Sequence, residues 1–495
     1  MSFEILASVA TLSNLTAMLA GVMLGIVGGA LPGLTATMVI ALLVPFTFSM
    51  APLAALLMLC GIHAGANYGG AITAILLRTP GTPAAAATVL DGYPMAQKGQ
   101  GRRAVELALY ASGIGGLASV LVMIFLSPVV SNVALMFGPS EYFAIGVFGL
   151  TAIVGVAGRS LLKALVAAAI GLTLTLVGLD PVTGYPRFTF GSMDLLGGVP
   201  FLAALIGLFA LPEAFRRSAR MIGQLREEAP HFDNSHTSLR EIGELTPEAV
   251  KSGLIGSAVG VLPGAGGDVA AFIAYNEARR SAKDKSQFGK GDPRGLVAAE
   301  SANNGITGGA MVPLLTLGVP GDAVTAVLIG AFTIHGIRPG PLLFETHLET
   351  LIYPLFLGLI AINILMLVCG FLFSGPVAQI VRLPRSFIIG GVIVLSVIGA
   401  YSMQFSMFDV FLMLGFGALG YFFEENDYPL SPIVLAIILG PMVETNLRRG
   451  LAMHQGDALA FLSSPISLTI FALAAVTVWF SVRSRKATFA TTSNA

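Results

Sequence analysis

Residues 25–33 read Gly-Ile-Val-Gly-Gly-Ala-Leu-Pro-Gly, and residues 256–264 read Gly-Ser-Ala-Val-Gly-Val-Leu-Pro-Gly. Gly25, Gly29, Leu31, Pro32 and Gly33 thus match Gly256, Gly260, Leu262, Pro263 and Gly264 without a gap. A second pair follows. Gly69-Gly70-Ala71 with Pro80-Gly81 matches Gly308-Gly309-Ala310 with Pro320-Gly321. Proline removes a backbone donor and glycine weakens a helix, so each Pro-Gly is expected to break an apolar helix. The freed N–H and C=O groups find no partner in hydrocarbon, and are tolerated only when buried in protein or lining a polar cavity. Two such breaks per half, repeated between halves, are the pattern of a substrate site in a secondary transporter.

The composition agrees with a membrane setting. Of the 495 residues, 55% are hydrophobic and 11% charged, against about 25% charged in a soluble domain. Apolar runs near 17–47, 53–77, 105–127, 142–157, 161–179 and 195–211 precede a polar stretch at 213–250. Further runs lie near 252–278, 296–318, 322–335, 350–374, 386–400, 406–423, 429–442 and 466–482. Most approach or exceed the ~20 residues that cross a bilayer. The expected fold is an all-α polytopic membrane protein with two inverted structural repeats, carrying Pro-Gly-broken helices or re-entrant hairpins. The expected division is a first membrane repeat at 1–212, a basic cytoplasmic linker at 213–250, a second repeat at 251–482 and a cytoplasmic tail at 483–495. Formal net charge is zero, so no nucleic-acid partner is expected. Cys60 and Cys369 sit in apolar segments without metal or redox spacing and read as small buried hydrophobes.

Basic residues concentrate in cytoplasmic loops. Arg216, Arg217, Arg220, Arg226 and Arg240 precede the second Leu-Pro-Gly segment, and Arg279, Arg280, Lys283, Lys285, Lys290 and Arg294 follow it. Residues 1–16 and 48–52 around the first segment carry no basic side chain. The simplest reading is a pair of re-entrant hairpins, one dipping in from outside (17–47) and one from the cytoplasm (252–278). The 31 residues of 17–47 would span ~46 Å as one helix, too long for a ~30 Å core. A tilted, discontinuous span per motif is the alternative.

Several motifs resemble the TctA family, the large membrane subunits of bacterial tripartite tricarboxylate transporters. They are Gln287-Phe-Gly-Lys-Gly291, Ala299-Glu-Ser-Ala-Asn-Asn304, Pro313-Leu-Leu-Thr-Leu-Gly-Val-Pro-Gly321 and Gly336-Ile-Arg-Pro-Gly-Pro341. Gly29-Ala-Leu-Pro-Gly33, the stretch from Asp180 to Arg187-Phe-Thr-Phe-Gly191, and Glu444-Thr-Asn-Leu-Arg-Arg449 are similar to the same family. Ala298, where the family pattern has proline, and Asp322, where many members have serine, depart from it. The resemblance implies a bacterial inner-membrane protein working with a small TctB-like membrane subunit and a TctC-like extracytoplasmic solute-binding protein. It implies uptake of an organic carboxylate driven by an H+ or Na+ gradient. A homodimer is left open. The chain has no GxxxxGK[ST] phosphate loop, and no cofactor or metal is expected.

Helix N-termini carry free N–H groups and partial positive charge, so the segments starting at the four breaks are candidate carboxylate sites. The expected substrate-binding residues are Gly33, Thr35, Asn67, Gly81, Gly264, Gly266, Asn303, Asn304 and Gly321: small residues admit close approach, and the hydroxyl and amides offer donors. Asp268, Glu300 and Asp322 are the expected ion-coupling residues, since intramembrane carboxylates beside an anion require a proton or cation. For Glu300 and Asp322 a helix-capping role competes, and for the amides interhelical bonding. His63 reads as a packed histidine, and Arg78 as an interfacial side chain or a substrate partner. No HExxH or Gly-x-Ser-x-Gly motif occurs and no catalytic residue is expected. The competing readings are a passive anion channel and a structural membrane subunit without its own transport cycle.

Overall fold

The computed structural model describes residues 3–31, 33–155, 160–220, 235–263, 266–380 and 385–492. Nineteen α-helices carry the described chain. The first half holds α1 (Phe3–Val9), α2 (Leu12–Ala30), α3 (Ala36–Leu43), α4 (Pro52–Leu77), α5 (Val89–Gln97), α6 (Gly101–Ala134), α7 (Pro139–Gly155), α8 (Leu161–Thr175) and α9 (Phe201–Arg220). The second holds α10 (Leu239–Val261), α11 (Gly267–Ser281), α12 (Pro293–Leu317), α13 (Ala323–Ile334), α14 (Leu343–Thr346) and α15 (Tyr353–Ile380). It continues with α16 (Arg385–Gln404), α17 (Met407–Glu425), α18 (Ser431–Met453) and α19 (Pro465–Thr492). A two-stranded antiparallel ribbon, β1 (Gly178–Leu179) and β2 (Pro186–Arg187), is the only sheet among the described residues. Among the described residues, six helical stretches are long and apolar enough to cross a membrane, and the chain is an all-α polytopic membrane protein. The stretch read as a linker is helical to Arg220 and again from Leu239, and the tail from 483 is helical to Thr492. Residues 221–234 lie outside the described residues.

Every expected break is present. The backbone leaves the helix at Leu31 and re-enters after Thr35, whose hydroxyl accepts from the Met38 N–H at 3.2 Å. Gly33 turns the chain at φ +84°, which a side chain resists. Helix α10 stops at Leu262, and α11 starts after Gly266. Helices α4 and α12 each end on a left-handed residue, Arg78 and Gly318. After Pro320-Gly321, Asp322 and Thr325 form a reciprocal capping box that opens α13.

The direction of the chain distinguishes hairpins from spans. Gly21, Gly25 and Gly29 of α2 lie against Met58, Ile62 and Ala66 of α4 in turn, so α2 and α4 run parallel. The connecting residues must therefore return to the starting end. The eight residues of α3 and the four-residue 3-10 turn at Val44–Thr47 cover ~20 Å of that return at ~1.5 and ~2.0 Å per residue. Likewise Gly256 lies on Ala302 and Gly260 on Ala310, so α10 and α12 run parallel and α11 returns. Helices α2 and α3, and α10 and α11, thus form two helical hairpins. Their small residues let backbones touch, the packing mode available where lipid supplies no hydrophobic drive between helices.

The two pairs run in opposite directions. Asn67 of α4 bonds to Asn303 of α12, while eight residues on, Ile75 meets Leu296 across Gly92. Hence α4 is antiparallel to α12, and α2 to α10. Further packing relations also recur between halves. Helix α6 lies on α10 and α12, as α15 does on α2 and α4; α18 packs on α7 and α8, as α9 does on α16 and α17.

One buried carboxylate ties the halves together. Asp91 Oδ1 accepts from the backbone N–H groups of Gly289, Gly291 and Asp292 at 2.8, 2.7 and 2.9 Å. This explains the Gln287–Gly291 motif: Gly289 and Gly291, at φ +82° and +97°, curl their N–H groups around one oxygen. Asp91→Ala is expected to lose about 3 kcal/mol or more, because three donors lose a charged acceptor. The measurement is a thermal or denaturant unfolding midpoint in detergent; an unchanged midpoint would show that the tether contributes nothing.

Candidate functional site

The hairpin tips and the Pro-Gly breaks meet. Gly81 lies against the Gly29 carbonyl of α2 and Gly70 Cα of α4, and its N–H donates to the Gly70 carbonyl at 3.3 Å. Gly321 lies against Ala310 Cα and the Gly260 carbonyl. Each break is thus seated on the hairpin of its own half through backbone contacts that a side chain would block.

Between them lies a cavity of ≈ 300 Å³ walled by both halves, at the lower end of small-molecule pockets. Thr35, Thr82, Gly266 and Asp322 are all on its wall. These are the N-cap residues of α3, of the 3-10 turn at Pro83–Ala86, of α11 and of α13. Three helix starts and the start of a short 3-10 turn therefore converge on one space, and helix starts favour an anion. Thr37, His63, Asn67, Asp268 and Asn303 complete the polar wall, and no lysine or arginine among the described residues lies on it. Phe209 of α9 and Ser431, Val434 and Leu435 of α18 close another side.

Asn303 is the least satisfied group there. It is 1% exposed, and neither its Nδ2 nor its Oδ1 has a hydrogen-bond partner. A Cβ on Gly267 would sit 3.2 Å from that Oδ1, so the amide lies beside the start of α11. The Thr82 hydroxyl on the same wall is also buried without a partner. Unpaired buried polar atoms are rare and call for an explanation; a polar ligand in this space would supply one. Asn67 is already engaged, donating to the Asn303 carbonyl at 3.3 Å.

Not every expected residue reaches this wall. Thr35, Asn67, Gly266, Asn303, Asp268 and Asp322 do. Gly33, Gly81 and Gly321 instead shape the turn or the backbone contact behind it. Gly264 lies outside the described residues. Asn304 shares a helix face with Ser301 and Gly308, which touch Gly115 and Ser119 of α6. It is fully buried there with its amide unpartnered. Glu300 is also off the wall, fully buried, accepting from the hydroxyls of Thr88 and Ser112, the latter at 3.3 Å. Arg78 stacks over Tyr93 at 5.7 Å rather than entering the cavity. His63, read as a packed residue, is on the wall with its Nε2 3.9 Å from Asp322 Oδ2. The signal was its spacing: His63 and Asn67 are four apart, so they share one helix face. Nothing in the local sequence marked Phe209 or Ser431.

The other motif residues form an ionic cluster away from this cavity. Arg187 on β2 holds Glu444 of α18 bidentately at 2.6 and 3.2 Å, and Arg448 meets Asp180 at 2.7 Å. The N–H groups of Thr183 and Val182, then Arg448, hold the Asp180 carboxyl well below the usual carboxylate range. Glu444 raises Arg187. The cluster pins the loop between α8 and α9 to α18.

Comparison with known proteins gives a consistent family match. Residues 15–435 match the model of the Tripartite tricarboxylate transporter TctA family. An Agrobacterium vitis protein described as an uncharacterized 52.8 kDa protein in the TAR-I ttuC' 3'region is 36% identical over 461 residues, covering 92% of this chain and 90% of that protein. A second A. vitis protein, described as uncharacterized in the TAR-II ttuC' 3'region, is 34% identical over 227 residues, 45% of this chain and 92% of its own length. No solved structure matches.

Proposed function

Because the chain belongs to the Tripartite tricarboxylate transporter TctA family, a family of transporters rather than enzymes, we propose that it is the large membrane subunit of a tripartite secondary transporter. It imports an organic carboxylate, of tricarboxylate type or related, that an extracytoplasmic solute-binding protein delivers. A TctB-like small membrane subunit completes the system in the bacterial inner membrane, and an ion gradient drives uptake. One observation carries this reading: three helix starts, the start of a short 3-10 turn and the unpaired Asn303 amide converge on one cavity between the halves. Thr35, Thr82, Gly266 and Asn303 hold the carboxylate, with Asn67 orienting Asn303. Asp268 and Asp322 on the wall couple the ion, and Glu300 acts from behind it at the joint with Thr88. Gly33, Gly81 and Gly321 set the backbone so that the starts point inward, Gly264 is proposed as a further substrate-binding residue, and Asn304 contributes from the α6 side.

The test is uptake of labelled citrate into proteoliposomes holding this chain and its small subunit. Accumulation against the gradient should appear only when the solute-binding protein is added outside. Equal uptake without it would sink the tripartite reading, and uptake that never exceeds equilibrium would favour a passive channel.

The halves cross the membrane in opposite senses, the first hairpin entering from outside and the second from the cytoplasm. The antiparallel course of α4 and α12 and the basic residues flanking 252–278 support this. With Cys60 and Cys369 replaced, a cysteine at position 50 should label from outside and one at position 286 from the cytoplasm. Labelling of both from one side would overturn the arrangement. Opposed halves around a shared site permit alternating exposure.

A further inference from the structure

The cavity wall has a charge problem. Among the described residues its ionisable side chains are His63, Asp268 and Asp322, with no lysine or arginine. With the histidine neutral, an incoming carboxylate meets two like charges and has only helix dipoles and amides in its favour. Asp322 is also split between two tasks. Its Oδ1 is committed to the cap of α13, accepting from the Thr325 N–H at 2.8 Å and from the Thr325 hydroxyl at 2.7 Å. Its Oδ2 is left to face His63 Nε2 at 3.9 Å. That distance is too long for a hydrogen bond but within ion-pair reach.

We propose that His63 and Asp322 form the proton-binding site of the transport cycle, one proton entering with each anion on the His63 imidazole. This deepens the transport reading and rests on it. The proton comes from the outer aqueous phase and adds to the imidazole Nε2 lone pair, facing Asp322. It leaves to the cytoplasmic side with the anion, returning the ring to neutral, with no other bond made or broken. The imidazolium offsets one of the two wall carboxylates, which admits the substrate; its loss on the inner side helps expel it. The pair also bridges the halves: His63 stands on α4 of the first, and Asp322 opens α13 of the second. Any shift of one half against the other changes its separation.

Among the described residues, Asp268 apart, the charges near His63 are already paired or held, Arg294 of α12 by Asp292. Helices α2, α3, α13 and α15, which pack on or near α4, carry no acidic or basic side chain. Glu300 of α12 is held by Thr88 and Ser112, and Asp91 of α5 by backbone N–H groups. Arg102, Arg103 and Glu106 of α6 pair among themselves and with Glu241 and His236. Asp268 is the remaining carboxylate facing the same space.

Two experiments test the pair. The first needs no substrate. The full chain, labelled with [15N]histidine in lipid nanodiscs, is titrated by NMR, and His63→Gln identifies the signal. The His63 ring should convert between neutral and charged forms as the pH is lowered through the range in which the folded protein persists. In Asp322→Asn the charged form should be lost from that range. Asparagine caps a helix about as well as aspartate, so α13 keeps its start. A ring that never charges, or that titrates unchanged in Asp322→Asn, would overturn the proposal. The second uses the complete three-subunit system in proteoliposomes with citrate as probe. An inward pH gradient should drive accumulation in the natural protein, and His63→Gln and Asp322→Asn should lose at least about tenfold of that gradient response. Accumulation that follows a Na+ gradient and ignores the pH gradient, or a His63→Gln protein that still responds, would also overturn it. If the natural protein takes up no citrate under any gradient, the substrate reading fails, while the titration still decides the pair.

Discussion

Valine at Gly25 should leave little assembled protein to extract. A Cβ there would lie 2.5 Å from the Ile62 carbonyl oxygen and 2.9 Å from the Ala66 nitrogen. Both are backbone atoms of a neighbouring helix, so no side-chain rotation relieves the clash. Helix α2 would have to move off α4, and Gly21 and Gly29, packed in the same way one turn before and after, would lose their contacts together. Overpacking of a flexible core costs ~1–3 kcal/mol, and rigid backbone leaves the upper end as the starting point. At ~1.4 kcal/mol per tenfold, the monodisperse peak in size exclusion after detergent extraction should fall by about tenfold or more. Gly243→Ala is the matched control: that glycine lies in α10 with nothing within 4 Å of an added Cβ, and alanine favours a helix by ~0.8–1 kcal/mol. Wild-type extraction of Gly25→Val would mean that α2 and α4 do not cross through their glycines.

Asn303→Leu should separate stability from transport. The amide is buried with both polar atoms unpartnered, a condition that costs about 1–3 kcal/mol per unpaired group. Leucine has nearly the same shape and no such groups, so the unfolding midpoint should hold or rise. Uptake should move the other way. Losing a hydrogen bond to a charged ligand costs about 1.5–3 kcal/mol, which raises the half-saturating substrate concentration roughly 10- to 150-fold. The same change at Asn304, off the cavity wall, should affect half-saturation far less. A half-saturation unchanged in Asn303→Leu would remove Asn303 from the binding site.

Much of this architecture is legible in the sequence. Proline and glycine act on the backbone locally, so the four breaks appear where Pro32, Pro80, Pro263 and Pro320 predict them. The length of 17–47 argues for folding back, and α3 and the 3-10 turn at Val44–Thr47 make that return. Cap residues are equally local: Thr35 and Asp322 bond within three residues of themselves. Proximity to a break along the chain is not proximity to the cavity. Gly81 and Gly321 follow the breaks and lie in close backbone contact with Gly70 and Ala310. Glu300 and Asn304 flank Asn303, but one helical residue is a rotation of ~100°, and the neighbours of a wall residue face elsewhere.

By itself, then, the sequence determined the membrane class, the four breaks, the hairpin fold-back and the helix starts, because each follows from composition, chain length or bonding within a few residues. Only the tertiary structure decided which residues share the cavity. The meeting of His63 with Asp322, 259 positions apart (322 − 63), the grip of Asp91 on the loop at Gly289–Asp292 and the entry of Phe209 and Ser431 into the wall depend on how α4, α9, α12, α13 and α18 are laid side by side. That arrangement is fixed by backbone-to-backbone contact at glycines and by the packing of helices far apart in the chain, which no local pattern of residues encodes.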